Sequence, residues 1–251
     1  MTWISLEGAC NVRDLGGLPT IDGRTTRQGV LLRSDNLQDL TPQDVKQLAD
    51  ISTVIDLRTG AEVEITGPGP LRQAGVKHRH LDLIPHGFDG RSELVERTIP
   101  DETAGEHAMD HYYIDYVRDA PHAIAEALRT IAAGPGAVVV HCAAGKDRTG
   151  VVVAIALSLV GVTRDAVIED YARSGDRIEQ IRDRLLGTDL YATDIARRSL
   201  DSMVPHAGNM ERFLDRVDRE YAGMHGLAMS IGFDEESVAR LSRRLIDSLS
   251  Q

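Results

Sequence analysis

His141-Cys142-Ala143-Ala144-Gly145-Lys146-Asp147-Arg148-Thr149-Gly150 puts a thiol, a glycine and a guanidinium into one short stretch. Ahead of it, Gly136 and the apolar run Ala137 to Val140 read as a buried strand; behind it, Val151 to Val160 reads as a buried helix. The stretch is therefore a strand, a tight loop and a helix N-terminus. That unit implies an α/β fold with a mainly parallel central sheet flanked by helices.

The first N–H groups of a helix have no intrahelical partner and lie at the positive end of the macrodipole, so an anion belongs there. Gly145 can take a positive φ and turn the N–H groups from Ala143 through Ala144 and Lys146 to Arg148 toward one centre, a phosphate-binding nest. Cys142 aims its sulfur at the same centre, and Arg148 brings a planar fork suited to two phosphoryl oxygens. A thiol with a pKa of roughly 8.5 falls to about 3.5–7.5 in such surroundings, so Cys142 is expected to be a thiolate. Thr149 offers a hydroxyl to the sulfur, and His141 is expected to hydrogen-bond the loop and tune Cys142. The arrangement predicts attack on a phosphate ester, a phosphocysteine and its hydrolysis by water.

At these residues the chain resembles the cysteine-dependent protein tyrosine phosphatases, and within them the bacterial and fungal branch whose loop reads HCxAGKDRTG. Asn11-Val12-Arg13-Asp14-Leu15-Gly16-Gly17 is similar to that family's NxRDLGG element, and Ile55-Asp56-Leu57-Arg58 to its DLR element. A weaker match lies at Met210, Leu214, Tyr221 and Gly232. The matches span nearly the whole chain in the right order. The resemblance implies a complete catalytic domain with a tyrosine phosphatase-like fold, a helical lid and no cofactor.

The 251 residues, 42% of them hydrophobic, suit one domain over 1–251, and no linker, repeat or low-complexity block divides it. Cys10 and Cys142 are the only cysteines, which argues against a disulfide framework and for a reducing compartment. Cys10 reads as an inert small hydrophobe rather than a redox partner. The N-terminus lacks the pattern of a signal peptide, and the apolar run after the loop is shorter than the ~20 residues of a membrane span. The expectation is a soluble cytoplasmic protein without stable membrane association, with signal-independent export left open. A net charge of −11 argues against nucleic acid as a partner, and 4% aromatic residues against a stacking surface. Oligomeric state is not legible.

Upstream of the loop, short β segments are expected over residues 1 to 33, with Arg13 and Asp14 as a structural ion pair. Thr41 should cap a helix from Pro42 to about Asp50, followed by a strand from Thr53 to Leu57. Asp56 and Arg58 fall at the end of that strand, where open α/β sheets place ligands. Two readings stand level: an ion pair supporting the next helix, or a lining of the pocket beside Cys142. Val76 to Leu83 is a further strand candidate. His78 and His80 share one face of it, but with no third ligand at motif spacing the reading is a solvated edge and no metal site.

Residues 84–118 are too polar and too long for an ordinary connection. The segment is either a surface excursion or a lid over the phosphate site, and the resemblance implies the lid; a helix is expected from Glu106 to Arg118, with Tyr112, Tyr113 and Tyr116 partly facing the core. Helices are expected over Ala120 to Ala133, Thr149 to Val160, Thr163 to Arg173, Asp176 to Leu186, His206 to Tyr221 and Glu235 to Ser248, making the C-terminal half helical.

A leaving group also benefits from a proton, typically by ~10² to 10⁴ in rate. Asp147, inside the loop as in relatives with GKDR, is favoured as the acid or as the group positioning water, with Asp56 and Asp82 as alternatives. Lys146 can contact a second phosphate, in resemblance to phosphoinositide phosphatases. The expected partners are a phosphorylated protein or lipid as substrate and inorganic phosphate as product, with phosphotyrosine, phosphoserine or phosphothreonine, and phosphoinositides all open. The rival readings are a rhodanese-like sulfurtransferase and a non-catalytic phosphate-binding module.

Overall fold

The computed structural model describes residues 1–84 and 108–247. Six strands form one sheet in the order β1-β2-β3-β6-β4-β5: β1 Thr2–Trp3, β2 Arg13–Asp14, β3 Leu31–Ser34, β4 Ile51–Asp56, β5 Lys77–His80 and β6 Ala137–His141. The first two pairings are antiparallel; β3, β6, β4 and β5 run parallel. The expected mainly parallel sheet is thus observed. In chain order the helices are α1 Pro42–Gln47, α2 Gly60–Thr66, α3 Pro70–Gln73, α4 Ala108–Asp119, α5 Pro121–Ala133 and α6 Asp147–Leu159. They continue with α7 Arg164–Ala172, α8 Ile178–Leu186, α9 Asp189–Ala196, α10 Leu200–Met203, α11 Ala207–Tyr221, α12 Met224–Ser230 and α13 Glu235–Leu245.

β6 is the centre because nothing in Ala137–Val140 needs water: all four side chains are buried, as a parallel strand covered on both faces requires. Its alternation then sorts the core. Val138 and Val140 join Leu31, Ile55 and α4–α7 on one face, while Val139 joins Leu32, Val54 and the small helices α1 and α3 on the other. Helix α6 is buried almost all round, so it is a core helix and not an amphipathic one. It starts at Asp147, two residues before the expected Thr149, which brings Asp147 and Arg148 into its first turn.

Thr41 caps α1 as expected, in a capping box with Asp44, but the helix ends at Gln47. Several short helices were not anticipated, among them α2, α3, α9, α10 and α12. Arg13 and Asp14 do not pair with each other. On a strand their side chains point to opposite faces: Arg13 reaches Asp170 at 2.8 Å, and Asp14 accepts the Gly16 and Gly29 amides. His78 is not at a solvated edge either, since its side chain is 5% exposed and faces Asp56. Residues 85–107, most of the expected lid, lie outside the described residues, as does the side chain of Tyr112; Tyr113 and Tyr116 are buried.

Candidate active site

The loop after β6 leaves the sheet between β3 and β4, at the carboxyl edge where Ser34, His141 and Asp56 stand in register. Three carbonyls of this loop are held on its outer side. Ala143 O accepts from the Asn36 amide at 3.0 Å, Ala144 O from Asn11 Nδ2 at 3.0 Å, and Gly145 O from Arg33 Nη2 at 2.7 Å. A trans peptide points its C=O and the next N–H in opposite directions. The amides of Ala144, Gly145 and Lys146 are therefore turned to the other side, toward the cleft. Gly145 adopts φ +67°, and a Cβ there would lie 2.3 Å from Ser34 O, so the close approach of loop to β3 needs glycine.

The bracing residues are themselves locked. Arg13 donates to Asp170 and, at 2.6 Å, to Asn11 Oδ1, while Arg33 donates to the other oxygen of Asp170 at 2.5 Å. Burial pushes the Asp170 carboxyl up, but the two guanidiniums outweigh it and hold it below the usual range. Sequence reading missed Asp170. The NVRD match gave no reason for its residues; the reason is that Asn11 and Arg13 fasten the loop after β6 from behind.

Cys142, Ala143, Ala144, Lys146, Asp147 and Arg148 face one cleft, of about 710 Å³ counting its open mouth. Its far wall is mainly apolar, from Ile84, Tyr116, Leu185, Tyr191, Ile195 and Met203, with Asp194 and Arg198 as its charged members. Arg148 meets Glu62 end-on, Nη1 to Oε2 at 2.6 Å and Nη2 to Oε1 at 3.0 Å. That geometry leaves the Nε edge of the fork for two oxygens of a ligand. Burial pushes the Glu62 carboxyl up, yet Arg148, the Thr59 amide and the Tyr191 hydroxyl together keep it below the usual range. Glu62 was also missed, although Thr59-x-x-Glu62 is a legible capping box.

Asp147 accepts from the Tyr113 hydroxyl at 2.5 Å and lies 3.1 Å from Lys146 Nζ. Burial pushes its carboxyl up, and Lys146, Tyr113 and Arg148 more than reverse that, so it is ionised at neutral pH. The Thr149 hydroxyl is buried and, among the described residues, has no hydrogen-bond partner, Cys142 included. Asp56 and Arg58 form a buried pair at 2.6 Å, and Arg58 goes on to Thr66 Oγ1 and Gly67 O at the end of α2. The geometry is that of a support for α2; neither residue lines the cleft. Asp82 accepts from the Gly60 and Ile84 amides and also stands off the cleft. Cys10 is a free thiol donating to Asp35, and burial with that carboxylate pushes its pKa up.

His141 Nδ1 lies 3.2 Å from Cys142 O, which can only accept, so Nδ1 carries the proton and Nε2 turns a lone pair toward Asp56 at 3.7 Å. Burial pushes the pKa of His141 down to about 4 against the pull of Asp56. Among the described residues, Asp56, His78 and His141 bring three potential metal-ligand atoms within 4.8 Å of one another. Arg58 already places its guanidinium on the Asp56 oxygen that faces both histidines, so that carboxylate has its cation.

A strand-loop-helix nest carrying a cysteine and an arginine on one cleft could bind a phosphate and present it to a thiol. Residues 4–247 match the model of the tyrosine phosphatase family, and the chain belongs to that family. It is 29% identical to the triple specificity protein phosphatase PtpB of Mycobacterium tuberculosis, over 94% of this chain and 96% of that one. It is 31% identical to a putative tyrosine-protein phosphatase of Cupriavidus necator, over 73% of this chain and 67% of the other. A tyrosine-protein phosphatase of Nostoc commune is 29% identical over 85% of this chain and 73% of its own.

Proposed function

We propose that the protein hydrolyses phosphotyrosine through a phosphocysteine on Cys142. The carrying observation is that Cys142 and the free edge of Arg148 face the same cleft as the amides turned inward by Asn11, Asn36 and Arg33. The nest takes the phosphoryl oxygens, and the apolar wall of Tyr116, Tyr191 and Ile195 suits an aryl group. The Cys142 thiolate attacks phosphorus opposite the ester oxygen; the P–O bond breaks and the P–S bond forms. A bound phosphate brings negative charge beside Asp147 and raises its affinity for a proton, which it passes to the departing phenolate. Asp147, again a carboxylate, then draws a proton from the water that cleaves the P–S bond and releases inorganic phosphate.

Cys142→Ser is the test with p-nitrophenyl phosphate: hydrolysis should vanish, and hydrolysis that persists unchanged overturns the phosphocysteine. Thiosulfate-to-cyanide sulfur transfer without phosphatase activity would favour the sulfurtransferase, and tight phosphate binding with neither activity the silent module. One relative is named a triple specificity phosphatase, so phosphoserine, phosphothreonine and phosphoinositides belong beside phosphotyrosine in the substrate panel. The rings of Tyr116 and Tyr191 on the wall support phosphotyrosine, while Lys146 and Arg198 on the same cleft are the reason to include the phosphoinositides.

A further inference from the structure

Asp147 is the end of a chain of hydrogen bonds. Tyr113 of α4 donates to its Oδ1 at 2.5 Å, and the Tyr113 oxygen lies 2.6 Å from the Tyr171 hydroxyl of α7. Tyr171 is hydrogen-bonded to Asn209 of α11, whose Oδ1 accepts from Arg212 at 2.6 Å. Tyr113 is 0%, Tyr171 1% and Asn209 7% exposed.

The donors fix the direction. A carboxylate only accepts, so the single Tyr113 proton is spent on Asp147, and Tyr113 must accept from Tyr171. Tyr171 then accepts in turn, and with the Asn209 carbonyl taken by Arg212 it is the Asn209 amide group that donates. Every link points toward Asp147, and links aligned in this way polarise one another. Packing alone does not call for these hydroxyls, since phenylalanine rings would fill the same volume without two buried polar atoms to satisfy. The signature stretch is shaped for the chain as well: a Cβ on Gly150 would lie 2.9 Å from the Tyr171 ring, so the last glycine of the loop makes room for it.

We infer that Tyr113, backed by Tyr171 and Asn209, is a positioning residue that holds the Asp147 carboxylate by Oδ1 and leaves Oδ2, beside Lys146, to handle the catalytic proton. This rests on the role proposed for Asp147 above. The charged groups that face the device are Lys146 and Arg148 around Asp147, and Arg33 beside Tyr171. Because Tyr113 donates to the ionised form, its loss makes Asp147 easier to protonate.

Tyr113→Phe, Asp147→Asn and the double variant test this in the full-length protein, with kcat/KM followed against pH for aryl phosphates of good and poor leaving group. For Tyr113→Phe the limb of the profile that depends on protonated Asp147 should move to higher pH, and turnover of the poor substrate should fall about tenfold more than that of the good one. In the double variant Tyr113→Phe should add nothing further, because the group it serves is gone. A Tyr113→Phe enzyme with an unmoved limb and equal loss on both substrates, additive with Asp147→Asn, overturns the inference and leaves the role of Asp147 standing. An Asp147→Asn enzyme with unchanged leaving-group dependence sinks that role and the inference together. Tyr171→Phe keeps the contact to Asp147 and removes its backing, so it should move the limb in the same direction by less; no movement limits the device to Tyr113.

Discussion

Glu62 holds both terminal nitrogens of Arg148, at 2.6 and 3.0 Å, in a pair almost wholly removed from solvent. Arg148, which we propose grips the phosphate, is thus aimed by a carboxylate that also caps α2 and accepts from Tyr191 on the cleft wall. Glu62→Gln keeps the shape and loses the charge; kcat/KM should drop by about 10–100-fold through misplacement of the fork, with little change in Tm. Glu62→Ala leaves a buried guanidinium unpaired and should cost about 3–5 kcal/mol of stability, read from urea unfolding.

Gly145→Ala brings a methyl group to 2.3 Å from Ser34 O at a residue with φ +67°. The expected cost is about 1–3 kcal/mol in unfolding free energy. The loop will relax by shifting away from β3, so phosphate affinity measured by product inhibition should fall at the same time. An unchanged inhibition constant would contradict the nest as drawn from Gly145.

Asp170 carries two buried arginines, and removing its charge should be far more damaging than removing a surface one. Asp170→Asn is expected to lose about 3–5 kcal/mol, whereas Glu169→Gln, whose partner Arg173 is solvent-exposed, should stay within about 0.5 kcal/mol. Chemical unfolding of the two neighbours makes the comparison.

Acid should weaken the protein first through its buried histidines. His141 is held neutral with a pKa near 4, against an ordinary value of 6.5, and burial pushes His78 down as well. Between those pH values the unfolded chain binds the proton that the fold refuses, so stability is full above about 6.5 and falls toward 4, by about 3 kcal/mol for His141 alone. Burial pushes the Asp35 carboxyl up, so its protonation offsets part of the loss; urea midpoints of the protein and of His141→Gln at pH 7 and pH 4.5 isolate the His141 share, and an equal fall in both would mean that His141 is charged in the fold. Asp56, Asp170 and Glu62, all held below their ordinary range, add their own loss only at lower pH.

The stretch from His141 to Gly150 was legible because its pattern is local. A strand, a glycine turn and a helix start follow each other within ten residues, and Cys142, Arg148 and Asp147 face the cleft together. What surrounds it was legible only as pattern. Asp56 and Arg58 end a strand at the right edge of the sheet, but sequence cannot tell that their pair turns away to α2. Asp170 and Asn209 sit in helices whose charges look like solvated faces, and only tertiary packing carries them inside. The short helices α9 and α10 escaped because they are held by packing against Ala143 and Ile181, not by their own propensity. Tyr113 showed as a core residue; its hydroxyl proton has a destination that no periodicity encodes.

The clamps on the loop reach far along the chain. Asn11 and Ala144 are 133 positions apart, Arg33 and Gly145 112, and Arg13 and Asp170 157. Closing contacts of such separation is slow compared with winding helices. On a ribosome, Cys142 emerges 28 residues ahead of Asp170, so the newborn chain passes through a stage with its thiol made and the loop proposed to cradle phosphate still slack. Catalytic competence is therefore a late event of folding, and in a refolding experiment helical signal should return well ahead of turnover.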